Sequence, residues 1–284
     1  MNEPRRHHYI PQFILRNFCA NDGFLFAYSK QSERSSVYQV KPKNVFLRKD
    51  LYAFEGAGGE LNVSLEKGYA RLESSVAPIV ERMVNAVREG DVPLMSREER
   101  GIWDAFFYHQ LKRTPDYHNP IIARQNFDKI LADGIAEWEA QKGKLSQEKL
   151  REFSDPIKRK KIRQQAKIIG LAKSNPEVSR LLAKMGIRIL KIVDAKKSFV
   201  VGSNPVVRMG PPNAGYLGHP EYEMWLPIAH DIAVSPNGSE TGVQTHFLND
   251  HNAIRRLNAK LFAQSEMIAG RSKQLVKSLT RSGK

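Results

Sequence analysis

Residues 61–83 read LNVSLEKGYARLESSVAPIVERM, and within them Leu65, Tyr69, Leu72, Val76, Ile79 and Met83 recur at steps of three and four. That spacing places all six on one stripe of an α-helix. The chain before it has a different period. Residues 23–28 and 36–40 are short aromatic and β-branched runs separated by polar residues, the pattern of a β-hairpin with a longish loop. The switch at Leu61 from short extended runs to a helical stripe decides the fold class: α+β, with strands first and helices after.

Working outward, Pro78 interrupts the stripe and predicts a kink or a division in two, because proline lacks a backbone donor and clashes with the preceding turn. Residues 44–54 add another short strand before a turn at Gly56, Ala57, Gly58 and Gly59. Ser96 with Glu98 and Glu99 opens the next helix, which should run to about Arg113 and stop before Thr114 and Pro115. Helices follow at about 120–142, 147–172 and 176–185. The strand pattern then returns at 187–193, 198–201, 224–227 and 231–234, around an exposed glycine- and proline-rich loop at 209–221. A helix near 250–260, a strand at 261–265 and a basic helical tail from Ser272 complete the chain. Without a repeat or a linker, one α+β domain over 1–284 is expected: strands to residue 60, a central helical layer to 186, and a C-terminal segment whose strands join the first ones in a small antiparallel sheet.

Composition narrows the chemistry. The 284 residues carry 45 Lys and Arg against 30 Asp and Glu, a net charge of +15. A field of that sign draws polyanions, and phosphate contacts by Lys and Arg supply most non-specific nucleic-acid affinity. Cys19 is the single cysteine, so no internal disulfide can form, and its apolar neighbours favour a buried thiol over a nucleophile. No stretch approaches the roughly 20 apolar residues of a membrane helix, and a cytoplasmic location with no membrane partner is expected. A Walker loop, a dinucleotide fingerprint and a nucleophile elbow are all missing, which disfavours nucleotide-driven and ordinary hydrolase chemistry.

The candidate site residues lie far apart in sequence. His7 and His8 stand beside Arg5 and Arg6 and are fixed against an apolar run by Pro11. Imidazole serves as metal ligand or proton carrier near neutral pH, though adjacent residues of an extended segment face opposite ways. The alternative is a terminus stacked onto the core. Glu66 and Glu73, seven apart on one helix side, would hold a divalent ion such as magnesium or manganese, or act as base and electrostatic partner; the alternative is a solvated helix face. Gln110 and Arg113 continue the apolar stripe of Ile102, Trp103, Phe106 and Phe107, together with His109. They therefore need buried partners or a cavity, unless the stripe simply reaches the surface at the helix end, and Arg113 would read phosphate with its fork. Asn204, in the turn Gly202-Ser203-Asn204-Pro205, would orient a ligand, with His230 and Asp231 nearby. Lys158, Arg159, Lys160, Lys161, Arg163 and Lys167 surround a narrow apolar seam of Ile162, Ala166 and Ile169, a basic amphipathic helix suited to nucleic acid or an anionic surface, or else a solvated helix face. His219, His246 and His251 have no zinc spacing.

The string from His7 to Phe18, HHYIPQFILRNF, resembles the opening signature of a bacterial family of unknown function, DUF4238. Residues 44–52, the helix with Glu66 and Glu73, and residues 110–115, 199–206 and 226–233 are similar to it too. The resemblance implies a single bacterial domain and no particular activity. The family usually reads Thr-Ser-Asp-Asn-Pro where this chain has Val201-Gly202-Ser203-Asn204-Pro205, so Ser203 stands in place of an acid. The opening string is also similar to that of small ββ-metal nucleases, but the next histidine is His109, which excludes that finger.

The expected reading is thus a nucleic-acid-acting protein, a metal-dependent phosphodiesterase built from these residues. Its rival is a non-enzymatic binding or interaction module that works through the basic surface.

Overall fold

The structure, a computed structural model, describes residues 6–32, 36–55, 60–121, 123–211, 217–219, 221–238 and 242–282. The turn at Gly56 to Gly59 and residues 212–216 and 220 of the expected exposed loop lie outside the described residues.

The chain begins with β1 (Arg6–His8), α1 (Gln12–Arg16), β2 (Leu25–Ser29), β3 (Tyr38–Val40), β4 (Leu47–Lys49), β5 (Phe54–Glu55) and β6 (Leu61–Asn62). The helices are α2 (Ser64–Glu89), α3 (Arg97–Lys112), α4 (Pro115–Ile121), α5 (Arg124–Lys142), α6 (Gln147–Ser154), α7 (Pro156–Ala172) and α8 (Pro176–Lys184). Then come β7 (Gly186–Ile192), β8 (Val201–Gly202), β9 (Val207–Met209), β10 (Glu223–Ala229), β11 (Ile232–Asn237) and β12 (Val243–Leu248). The described chain closes with α9 (His251–Gln264), β13 (Met267–Gly270) and α10 (Lys273–Ser282). This is an α+β fold.

Both ends of the chain share a sheet. The expected hairpin forms from β2 and β3, and β13 pairs antiparallel on the other side of β2, with Ala269 opposite Ala27. β8 completes the order β3-β2-β13-β8. A second sheet, β12-β7-β11-β10-β9, is antiparallel except for the parallel pair β12 and β7. In β10 and β11 the run from Met224 to Val234 is almost wholly buried, as a sheet covered on both faces demands. Gly202 is required by a close approach, since a Cβ there would fall 2.3 Å from Ser265 Oγ of the residue that ends α9.

Against these sheets α2 buries Leu65, Tyr69, Val76, Ile79 and Met83, five of its six stripe residues. It runs unbroken through Pro78. That proline is exposed, so the Ser74 carbonyl it leaves unpaired also lies on the exposed face. A full capping box starts α3: Ser96 Oγ accepts the Glu99 N–H and the Glu99 carboxylate accepts the Ser96 N–H.

Three sequence expectations are corrected. The single helix over 147–172 is two, because Asp155 is held extended by the following proline and its carboxylate accepts the Lys158 N–H at the head of α7. A separate α4 precedes α5 where one helix from about 120 was expected. Residues 261–265 end α9 rather than forming a strand: Leu261 continues the buried helical stripe of Ile254 and Leu257, and the strand starts only at Met267. Strands β9 and β12 were not foreseen. Cys19 is half-buried, burial raises its thiol above the usual range, and its sulfur contacts the Leu15 carbonyl.

Candidate functional site

β1 lies antiparallel to β4, with His7 opposite Arg48, and its end is seated on α2 and α3. The anchor is a main-chain atom. The Tyr9 carbonyl accepts both Gln110 Nε2 and Arg113 Nε at 2.9 Å. Arg113 also approaches the His8 carbonyl at 3.4 Å and grips the Glu73 carboxylate at 2.7 Å. Its guanidinium lies 5.0 Å from the Tyr69 ring centroid, and its own carbonyl accepts the Tyr52 hydroxyl at 3.0 Å. The residue is only 1% exposed. Burial opposes its charge, but Glu73 more than restores it, and the guanidinium is held above its ordinary range.

His7 is equally buried, its ring parallel to that of Tyr52. Its Nδ1 accepts the Tyr52 N–H at 3.2 Å, and a Glu66 oxygen lies 3.8 Å from the same nitrogen. Glu66 Oε2 is buried without a hydrogen-bond partner. Burial pushes the Glu66 carboxyl up to about 7, against the pull of Arg113 and with help from Glu73. His8 is half-buried. A ring N–H reaches the Lys43 main chain, Nε2 has no partner, and burial lowers the ring's pKa, leaving it neutral near pH 7.

Glu66 and Glu73, with side chains 26% exposed, form the rim of this cluster, and the buried His7 and Arg113 form its floor. Gln110 Oε1, His109 Nδ1 and Thr114 Oγ1 are further buried atoms without partners around the end of α3. Burial, helped by Lys112 and Arg113, drops the His109 ring to about 4. Unsatisfied polar atoms and displaced pKa values concentrated in one place mark a site with chemical capacity.

The structure therefore brings together His7, His8, Glu66, Glu73, Gln110 and Arg113. Two expectations are modified. Arg113 directs its donors at main chain and at Glu73, not at solvent, so it positions the site rather than facing a phosphate. Asn204 is held elsewhere: its N–H donates to Ser265 Oγ at 3.1 Å and its carbonyl accepts Gln264 Nε2 at 2.7 Å. No hydrogen bond or ion pair among the described residues ties Asn204 to the cluster. Its neighbour Ser203 donates to the Asp116 carboxylate, which also accepts the Glu266 N–H at 2.9 Å. His230 packs on Arg271, and Asp231 on Arg88 and Lys191. Among the described residues no group of three or more His, Cys, Asp or Glu is arranged to hold a metal ion.

Sequence reasoning missed Tyr9, Tyr52, Tyr69 and Asp116. Asp116, directly after Thr114-Pro115, was open to notice as an acid at a helix start. The Tyr9 carbonyl carries no residue-type signal at all.

The basic helix α7 is divided by its surroundings. Arg159, Lys160 and Arg163 line a cleft of about 540 Å³ together with Phe127 and Ser154. Arg159 also pairs with Asp128, and Lys158 with Glu152. Lys161 is exposed. Lys167 departs from the expected basic face: it is buried against the body, and burial, with Arg48 nearby, lowers its ammonium to about 8. No helix among the described residues is long and apolar enough to cross a membrane.

A strand locked through its main chain onto two helices, with a buried cluster of polar and titratable groups beneath it, gives this α+β protein a candidate functional site. The chain belongs to the family described as protein of unknown function, DUF4238, whose profile matches residues 6–274. No curated protein and no solved structure matches it.

Proposed function

We propose that this protein acts on nucleic acid as a phosphodiesterase, with Glu66 as its acid–base group and the basic half of α7 gathering the substrate. The observation that carries the reading is the Glu66 carboxyl, displaced to about 7, with one oxygen buried and unpartnered beside His7 while the side chain stays partly exposed at the rim of the cluster. A carboxyl poised there exchanges protons at neutral pH, which an ordinary surface glutamate does not do. Neutral His8, with Nε2 unpartnered, is the second proton acceptor. Arg113 and Gln110 fix the frame by holding Glu73 and the signature strand. A divalent ion, magnesium or manganese, would supply Lewis acidity if Glu66 and Glu73 shared it. Glu73 would then divide its charge between the ion and Arg113. The packing of α7 connects the two halves of the site: Gln164 Nε2 donates to the Ala53 carbonyl, and Leu171 is buried beside Tyr69. The eleven helical steps from Lys160 to Leu171 span about 16 Å, so a strand held on the basic half lies within reach of the rim.

Cleavage of labelled single- and double-stranded substrates, with magnesium, with manganese and with chelator, tests this reading on the parent, His8→Ala, Glu66→Gln and Glu73→Gln. The parent is expected to cut and Glu66→Gln to lose at least 100-fold. Equal or absent cleavage in all four removes the enzyme. A second reading is then favoured by the 1% exposure of His7 and Arg113: the signature only docks the terminus, and the basic surface binds nucleic acid or an acidic partner without chemistry.

A further inference from the structure

The two faces of α7 line adjoining hollows. One is the basic cleft of Arg159, Lys160 and Arg163. The other, about 450 Å³, is an apolar groove among α5, α6 and α7 that includes Ile130, Trp138, Phe153 and Ile162. Phe127 borders both. Trp138 is 49% exposed and Ile130 50%, although large apolar side chains are stabilised by burial. An apolar groove alone fits many occupants. The basic rim beside it restricts the choice to a polyanion that also offers flat apolar surfaces. Duplex nucleic acid presents phosphates but keeps its base faces stacked inside. A bilayer presents both chemistries on a broad surface that does not enter a groove between three helices. A single strand offers phosphates along one side and free base faces on the other.

We propose that the cleft and groove together bind single-stranded nucleic acid, with phosphates on Arg159, Lys160 and Arg163 and a base stacked on Trp138. The inference rests on the nucleic-acid part of the reading above and not on its catalytic part. A bound phosphate takes Arg159 from Asp128, while Glu152 stays with Lys158.

The tryptophans make the test direct, because Trp103 and Trp225 are buried and only Trp138 meets solvent. The full chain is titrated, with tryptophan fluorescence as readout, against oligo-dT of about 12 nucleotides, a duplex of equal length, inorganic polyphosphate, and vesicles containing phosphatidylserine. Oligo-dT is expected to bind most tightly and to quench the emission, with no quench in Trp138→Phe. Trp138→Ala should weaken oligo-dT binding by roughly 5- to 150-fold. Lys160→Glu with Arg163→Glu should abolish binding at physiological salt while the circular dichroism spectrum stays unchanged. Duplex or polyphosphate binding as tight as oligo-dT, with Trp138→Ala equal to the parent, overturns the proposal in favour of unspecific charge. Quenching by vesicles alone overturns it in favour of a membrane surface. Retained oligo-dT binding without cleavage would sink only the acid–base centre. Cleavage without oligo-dT binding at Trp138 would sink only this inference.

Discussion

At the scale of the single residue, Glu66 carries the proposed chemistry, and its displaced pKa is also a statement about stability. A carboxyl raised in the folded state to about 7 favours folding fully below its ordinary value of 4.5, and that contribution is lost as pH rises through about 7. It amounts to at most about 3 kcal/mol, less whatever solvent screens at the rim. Denaturant unfolding of Glu66→Gln should therefore show a flatter dependence between pH 5 and 8 than the parent, with the variant relatively more stable at the alkaline end. In the catalytic reading kcat/KM rises with a midpoint near 7, because the carboxylate must be free to accept a proton. Arg113 is the opposite case. Removing its side chain leaves Glu73 and the Tyr9 carbonyl short of a donor, so Arg113→Ala should cost about 3–5 kcal/mol in urea unfolding. Arg113→Lys should restore little, since an ammonium cannot span three acceptors with a planar fork.

At the scale of elements, α2 was legible because its stripe is long, α3 because its start carries a cap, and the hairpin β2–β3 because its runs are aromatic and β-branched. What escaped the sequence was decided by distant contacts. The strand β12 exists because β7 offers it a parallel edge, and its own residues, Val243 to Leu248, are only partly buried. The helix break at Asp155 was written in the Asp-Pro pair but was outweighed by the amphipathic pattern on both sides. For the candidate site, the polar extension of the α3 stripe and the paired histidines did point to a shared interior. The partners they meet there are main-chain atoms or one another, which residue types do not announce. Asp155→Ala, which strips the cap from α7, should lower stability by about 1 kcal/mol. Hydrogen exchange should show the loss confined to the first turns of that helix, where Arg159 and Lys160 begin the basic cleft.

For the whole molecule, Asp231 fastens the helical layer to the five-stranded sheet, taking two hydrogen bonds from Arg88 of α2 and one from Lys191 of β7. Burial alone would raise its pKa, but these donors and His230 bring it down to about 2. Such a group stabilises the fold above about pH 4 and ceases to do so as pH falls through 2, a contribution of about 2 kcal/mol. Neighbouring His230, lowered by burial to about 4, works in the same direction between pH 6.5 and 4. Acid unfolding of the parent should thus steepen below pH 4, and Asp231→Asn should lose that steepening while starting from lower stability at pH 7. The sheet that unites the two ends of the chain has a consequence during synthesis. β2 leaves the ribosome early, yet its second neighbour, β13, emerges 238 residues after Ser29. At about 5–20 residues per second the wait is on the order of 10–50 s. Throughout it the edge of β2 carries unpaired amides and carbonyls beside apolar side chains, so the nascent polypeptide needs a chaperone's cover more than the finished one does.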